Sequence, residues 1–132
     1  MATERVVEVD LRWADMDVFG HVNNVVFFRL LEEARAKVLT DAGSATEFLT
    51  TGVVVGEQQL RYLAPLDYSY TSVSVGMTVD HLGTSSFRLQ SRIFDSATGT
   101  VFASGYVSLV AYSAAGQSPR ELSPTEREWL SS

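Results

Sequence analysis

Residues 15–24 read Asp15-Met16-Asp17-Val18-Phe19-Gly20-His21-Val22-Asn23-Asn24, and the apolar run Val25-Val26-Phe27-Phe28 follows at once. This stretch separates two periodicities. Before it, residues 5–13 alternate, with Val7, Val9, Leu11 and Trp13 on one side and Glu8, Asp10 and Arg12 on the other. Period two marks a half-buried strand and puts Trp13 on its core face. After it, Phe27, Leu31, Ala34, Val38 and Ala42 recur at i, i+4, i+7, i+11 and i+15, the apolar stripe of a helix over 25–42. Glu33 and Lys37 add a favourable i,i+4 pair on the polar side. The nearly all-apolar first turn predicts burial on several sides. The stretch between the two elements is rich in Asp, Asn and Gly, which favour turns and caps. Asn23 or Asn24 is expected to cap the helix and Gly43 to stop it.

Working outward, the remainder reads as strands. They cover about 53–63, about 69–80 (Val73, Val75, Met77 and Val79 on one face), about 84–94 (Phe87, Leu89, Ile93) and about 100–112 (Val101, Ala103, Val107, Leu109, Ala111). Asp80-His81-Leu82-Gly83 and Asp95-Ser96-Ala97-Thr98-Gly99 have the chemistry of hairpin turns, and Pro65 suits a strand end. Ser123-Pro124-Thr125-Glu126 combines a capping Ser, Pro at the first helical position and Glu three residues after the cap, so a short helix runs to about Leu130. The expected fold class is α+β: a five-stranded antiparallel sheet with one long helix against one face and a short C-terminal helix. The uncovered face and edges invite a partner copy.

At 132 residues the chain has the length of a single domain, 1–132, with one hydrophobic core. Apolar residues make up 45% and charged residues 20%, an ordinary globular balance. No apolar run approaches a membrane span, and the N-terminal residues lack the pattern of a signal peptide, so a cytoplasmic location is expected. The absence of cysteine removes disulfides, thiolate nucleophiles and Cys-ligated metals. A net charge of −6 argues against a nucleic-acid partner and gives no long-range steering to an anionic substrate.

The pattern Asp15-x-Asp17-x-x-Gly20-His21-Val22-Asn23-Asn24, with Glu32-Glu33-Ala34-Arg35 further along the helix, resembles the hotdog-fold thioesterases. The likeness is to their 4-hydroxybenzoyl-CoA thioesterase and acyl-CoA thioesterase branch. Arg61-Tyr62-Leu63-Ala64-Pro65-Leu66 is similar to that family's Tyr-x-x-Pro segment, and Gly83-Thr84-Ser85-Ser86-Phe87 to its Gly-x-Ser-Ser turn. The resemblance spans residues 5–112. It implies a hotdog fold in which the sheet wraps the helix, and a homodimer or homotetramer with active sites between subunits. It implies hydrolysis of an acyl-CoA or acyl-carrier thioester, with coenzyme A present only as part of the substrate and no separate cofactor or metal. Asp17 is then the catalytic carboxylate, and a backbone N–H near Asn24 the donor to the thioester carbonyl. Gly20, His21, Asn23, Thr84, Ser85 and Ser86 are the implied substrate contacts. Some relatives carry a basic cluster at the turn before the third hairpin strand, positioned for coenzyme A phosphates; here Gly83-Thr84-Ser85 is neutral, which leaves room for a carrier-protein substrate.

Elementary chemistry is compatible with this assignment. A helix N-terminus offers unpaired N–H groups and a positive dipole end, an oxyanion site for acyl transfer. A thiol leaving group has a reference pKa of about 8.5 against about 15.7 for water, so it departs without a dedicated acid. Asp17 could attack directly or activate a water. Plainer readings stand beside each assignment. Asp17 could cap a turn, Asp15 is a structural residue, His21 a loop hydrogen-bonding group, and Asn23 and Asn24 helix caps. Ser85 and Ser86 are turn residues, Arg61, Arg88 and Arg92 solvated strand charges, and Glu57 a distant second carboxylate. One loop histidine gives thin support for a metal. Two other functions remain open: a dehydratase acting on 3-hydroxyacyl thioesters, and a non-catalytic acyl-thioester binding module.

Overall fold

The computed structural model describes residues 2–42 and 52–132. Strand β1 (Arg5–Asp10) leads through a 3-10 turn (Trp13–Asp15) and a loop into helix α1 (Val26–Asp41). Four long strands follow: β2 (Val53–Tyr62), β3 (Ser72–Leu82), β4 (Ser86–Phe94) and β5 (Val101–Ser113). A two-residue strand β6 (Ser118–Pro119) and helix α2 (Pro124–Ser131) complete the chain. The sheet is antiparallel in the order β1-β3-β4-β5-β2, with β6 paired to β5. Strands β1 and β2 are therefore its edges.

The core forms where the two periodicities meet. Phe27, Leu31, Ala34, Val38 and Ala42, the stripe read from the sequence, are all buried, and Leu30 and Leu39 join them. They pack with the alternating residues of one sheet face, among them Val73, Val75, Met77, Phe87, Leu89, Ile93, Ala103, Val107 and Leu109. The opposite face is polar and laced with ion pairs. Arg88 grips Asp80 through Nε and Nη2 at 2.9 and 3.0 Å, and Arg92 grips Glu4 at 2.7 and 2.9 Å. Arg88 and Arg92 are thus paired charges rather than simply solvated ones.

Several boundaries differ from the sequence reading. Trp13 does not continue the buried face of β1. The strand ends at Asp10, the chain turns, and the indole is 81% exposed. The β3–β4 hairpin does not turn at Asp80–Gly83. A bulge between Val79 and His81 lets β3 run on to Leu82, and Gly83 N–H closes the turn on the Ser86 carbonyl at 2.7 Å. The first turn of α1 is only partly covered, since Val25 is 68% exposed. Neither Asn23 nor Asn24 is the cap of α1; Val25 holds that position with no side-chain cap. Asn23 acts one step earlier, where its Oδ1 accepts from Val25 N–H at 3.0 Å and its carbonyl from Val26 N–H at 2.9 Å. Gly43, the expected helix stop, lies outside the described residues. The expected capping box of α2 is present: Glu126 N–H donates to Ser123 Oγ, and Ser123 N–H to Glu126 Oε1. No helix among the described residues is long and apolar enough to cross a membrane.

Candidate active site

The loop before α1 is built on two aspartates with different surroundings. Asp15 is 1% exposed. Its Oδ2 accepts from Arg12 N–H and Arg29 Nη2, both at 2.7 Å, and its carbonyl from Asn23 N–H at 2.8 Å. It ties the end of β1, the loop and the first turns of α1 together, as its structural reading expected. Asp17 lies further out, half-buried. Its Oδ1 accepts from Phe19 N–H at 2.8 Å and His21 N–H at 3.3 Å, and its own N–H donates to the His21 carbonyl at 2.8 Å. Gly20 closes the turn at φ +77°, a left-handed conformation that glycine adopts without strain. One carboxylate oxygen of Asp17 is thus held by the backbone, and the other, Oδ2, meets no donor among the described residues.

Asp17, His21, Asn24, Phe27, Tyr62 and Leu66 line a cleft of about 400 Å³. A second, wider hollow of about 890 Å³ also has Asp17 in its wall and is lined by Trp13, Met16, Val18, Gly20, Asn23 and Tyr68. Asp17 thus borders both spaces. His21 is fixed against the segment after β2 by an isolated bridge to Asp67. Ser69, through its hydroxyl and N–H, holds the Asp67 carboxyl below the usual range, with the charge of His21 a smaller cause. The Asn24 N–H donates to no group among the described residues, while the Asn24 carbonyl accepts from the Tyr62 hydroxyl at 2.6 Å. The Tyr62 ring meets Phe27 edge-on at 5.1 Å, and burial raises the phenol pKa.

Of the sequence-derived site residues, the fold brings Asp17, His21 and Asn24 to one cleft and Gly20 and Asn23 to the adjoining hollow. Thr84, Ser85 and Ser86 line neither space. They form the β3–β4 turn, whose Thr84 and Ser85 carbonyls accept from Leu122 and Ala111 N–H. The turn is not as neutral as its own sequence: Arg127 of α2 donates to the Gly83 carbonyl at 2.7 Å. Glu57 is on the polar outer face, accepting from the Tyr106 hydroxyl, and takes no part in the cleft. Among the described residues no three His, Asp or Glu side chains are grouped to hold a metal ion. Tyr62 is the cleft residue that sequence reasoning did not single out. Its Tyr-x-x-Pro context was visible, but a tyrosine ending an exposed strand carries no mark of its hydrogen-bond partner.

An antiparallel sheet in this order wrapped on one long helix is a hotdog-type architecture. The sequence pattern of the thioesterase-like superfamily matches residues 11–130, and the chain belongs to that superfamily. The YsmA protein of Bacillus subtilis (strain 168), itself uncharacterized, is 32% identical over 82 residues, spanning 62% of this chain and 55% of YsmA. The match therefore takes in about half the length of that relative. Among solved structures, a thioesterase from Thermus thermophilus complexed with coenzyme A and Zn is 31% identical, with 95% of this chain and 90% of that one covered and a TM-score of 0.81. The PA2801 protein of Pseudomonas aeruginosa is 30% identical, with 93% and 95% covered and a TM-score of 0.78.

Proposed function

We propose that this chain, as a single domain, hydrolyses acyl-CoA or acyl-carrier thioesters to a free acid and a thiol, with Asp17 as the reacting carboxylate. The observation that carries this reading is that, among the described residues, Asp17 Oδ2 meets no donor and the Asn24 N–H no acceptor, while both residues line one cleft. The thioester carbonyl oxygen would accept from the Asn24 N–H, whose donor strength is raised by the positive end of α1. The carbonyl carbon would then face Asp17 Oδ2. Either that oxygen adds to the carbon, or it takes a proton from a water that adds. In both routes the tetrahedral oxyanion collapses and the C–S bond breaks, releasing the thiolate; on the direct route the acyl–Asp17 anhydride left behind is then cleaved by water, which frees the acid and restores the carboxylate. The two hollows flanking Asp17 suit a substrate with two arms, acyl on one side of the thioester and pantetheine on the other.

That a thioesterase of similar fold was crystallised with coenzyme A supports coenzyme A as the thiol carrier. Since Thr84, Ser85 and Ser86 lie away from this copy's cleft, their proposed contact with the pantetheine or nucleotide end is made across a homodimer interface. Arg127 beside that turn supplies a cation for such a contact. The proposed location is the cytoplasm, where acyl-CoA is formed.

Thiol release from a panel of acyl-CoA substrates tests the reading. The parent should turn over at least one of them. Asp17→Asn keeps Oδ1 as the acceptor for Phe19 and His21, so the loop survives, but the negative charge is lost. Hydrolysis should fall by at least ~100-fold, mainly in kcat. A folded Asp17→Asn protein within threefold of the parent would reject Asp17 as the reacting group. A parent that binds acyl-CoA without releasing thiol would favour the binding module.

A further inference from the structure

We propose that Tyr62 is a positioning residue for the reaction at Asp17: by donating its hydroxyl to the Asn24 carbonyl, it fixes the Asn24 backbone and keeps the Asn24 N–H available to the substrate carbonyl. This rests on the thioesterase reading above and adds to it a residue from another element.

Val26 N–H goes to the Asn23 carbonyl at 2.9 Å and Phe28 N–H to the Val25 carbonyl at 3.1 Å. The Asn24 carbonyl is passed over by this ladder. Left alone, it would be an unpaired acceptor on the cleft wall, free to tilt. Its negative end would also oppose an oxyanion forming nearby. The Tyr62 hydroxyl, at 2.6 Å, removes both problems.

The two peptide planes on either side of the Asn24 Cα are then pinned by separate groups. The plane between Asn23 and Asn24 is held through the Asn23 carbonyl by Val26 N–H. The Asn23 N–H, one plane earlier, is anchored on the carbonyl of buried Asp15 at 2.8 Å. The plane between Asn24 and Val25 is held at its N–H by Asn23 Oδ1 at 3.0 Å and at its carbonyl by Tyr62. With both planes fixed, the direction of the Asn24 N–H is fixed as well. Preorganisation of this kind is what makes an oxyanion donor effective, because no dipole has to be turned during the reaction.

Tyr62 is itself well located. It is the last residue of β2, paired with Ala103 of β5, and its ring rests edge-on against Phe27 one helical position beyond Val26. The sheet edge thus sets the position of the helix start through one hydroxyl. Burial raises the phenol pKa, so the hydroxyl remains a donor through the neutral range.

The test is Tyr62→Phe, which keeps the ring against Phe27 and removes only the oxygen. Parent and variant are compared in acyl-CoA hydrolysis, in thermal melting, and in amide NMR of residues 23–27. The expected result is a fall in kcat of about tenfold, the rate equivalent of one ordinary hydrogen bond, with KM within twofold. The Asn24 and Val25 amide signals should shift and broaden, while those of the β3–β4 turn stay in place. A melting temperature close to the parent's separates this from general loosening. Unchanged kcat, or unchanged Asn24 and Val25 signals, would each overturn the proposal. A parent with no turnover on any thioester would instead reject the underlying thioesterase reading, so the two failures are distinct. If Tyr62→Phe does not fold, Tyr62→Leu, which keeps an apolar side chain and has no donor, is put to the same measurements and judged by the same outcomes.

Discussion

Asp15 and Asp17 are two positions apart in the sequence and carry the same side chain, yet their surroundings differ: one is buried against arginines and the other is half-buried in a cleft wall. Asp15 is sealed among Arg12 and Arg29, so its charge is spent on holding the loop. Asp15→Asn should lower stability by about 3 kcal/mol, because Arg29 loses a buried counter-charge. Urea unfolding would read this, and kcat per folded molecule should change far less than in Asp17→Asn. A variant of parental stability would show that the buried pair does not organise the loop. The spacing of the two carboxylates was legible in the sequence; the difference in their surroundings was not, because exposure and partners are set by residues such as Arg29, 14 positions away. A third acid, Glu4, serves on the outer face. Its hydrogen bond to Arg92 pulls the carboxyl pKa below the ordinary value of 4.5. A depressed carboxylate contributes stability that is fully present above its unfolded pKa and is lost as pH falls through its folded pKa. Glu4→Gln should therefore flatten the acid limb of the stability profile below about pH 4.5 and cost at most ~1 kcal/mol at neutral pH, as a partly exposed pair does. Melting curves from pH 3 to 7 would check both halves of this, and an unaltered acid limb would contradict it.

At the scale of elements, α2 shows how a short helix is secured. Eight residues gain little from helix propensity alone. Glu126 is fully buried, and both its oxygens take Arg120, at 2.7 and 2.8 Å, while Oε1 also accepts from Ser123 N–H. Glu126→Ala removes the carboxylate member of this buried pair and its bond to Ser123 N–H, which should cost about 3–5 kcal/mol. Because Arg127 of the same helix reaches the Gly83 carbonyl, amide exchange in the β3–β4 turn should accelerate along with that of α2. Protection unchanged in both places would show that the pair is not what docks the helix. The capping box was readable from Ser123-Pro124-Thr125-Glu126 because its partners are local. The Arg120 pairing was not, since nothing in the spacing says that Glu126 is buried. The same contrast runs through the fold. Strand and helix stripes such as Phe27, Leu31 and Ala34 were legible because periodicity is a local record of burial. The turn at Gly83–Ser85 was misplaced because a bulge at Val79–His81 shifts β3 without any Gly or Pro signal. Trp13 was misread because alternation continues in the letters after the backbone has left the strand.

At the scale of the whole molecule, the sheet is covered on one face by α1 and carries charge pairs on the other, so its exposed apolar residues collect elsewhere. Val54, Val55 and Tyr62 on edge strand β2, Leu63 just beyond it, and Val18, Phe19 and Val25 around the helix start are all at least 42% exposed. Among the described residues edge strand β2 pairs only with β5, and its other side presents backbone groups that no described residue pairs. An open edge flanked by valines, next to a cleft whose wall includes Tyr62, is the part of the surface best suited to a second copy related by a two-fold axis. Pairing there would extend the sheet across both chains, cover the apolar fringe and bring each cleft to a subunit boundary. The polar outer face, with Arg88–Asp80, Arg92–Glu4 and Tyr106–Glu57 already satisfied, offers less to gain from burial. We therefore predict at least a dimer in solution, assembled through β2. Light scattering at micromolar concentration should give a mass of at least twice 14.5 kDa. Val55→Lys, placing a charge on that edge, should shift the equilibrium toward monomer and lower thioester hydrolysis in step with dimer loss. Substitution of Gln90 by Lys on the outer face should leave the mass unchanged. A purely monomeric parent that hydrolyses thioesters would show that one copy completes the site by itself, and would move Thr84, Ser85 and Ser86 out of it.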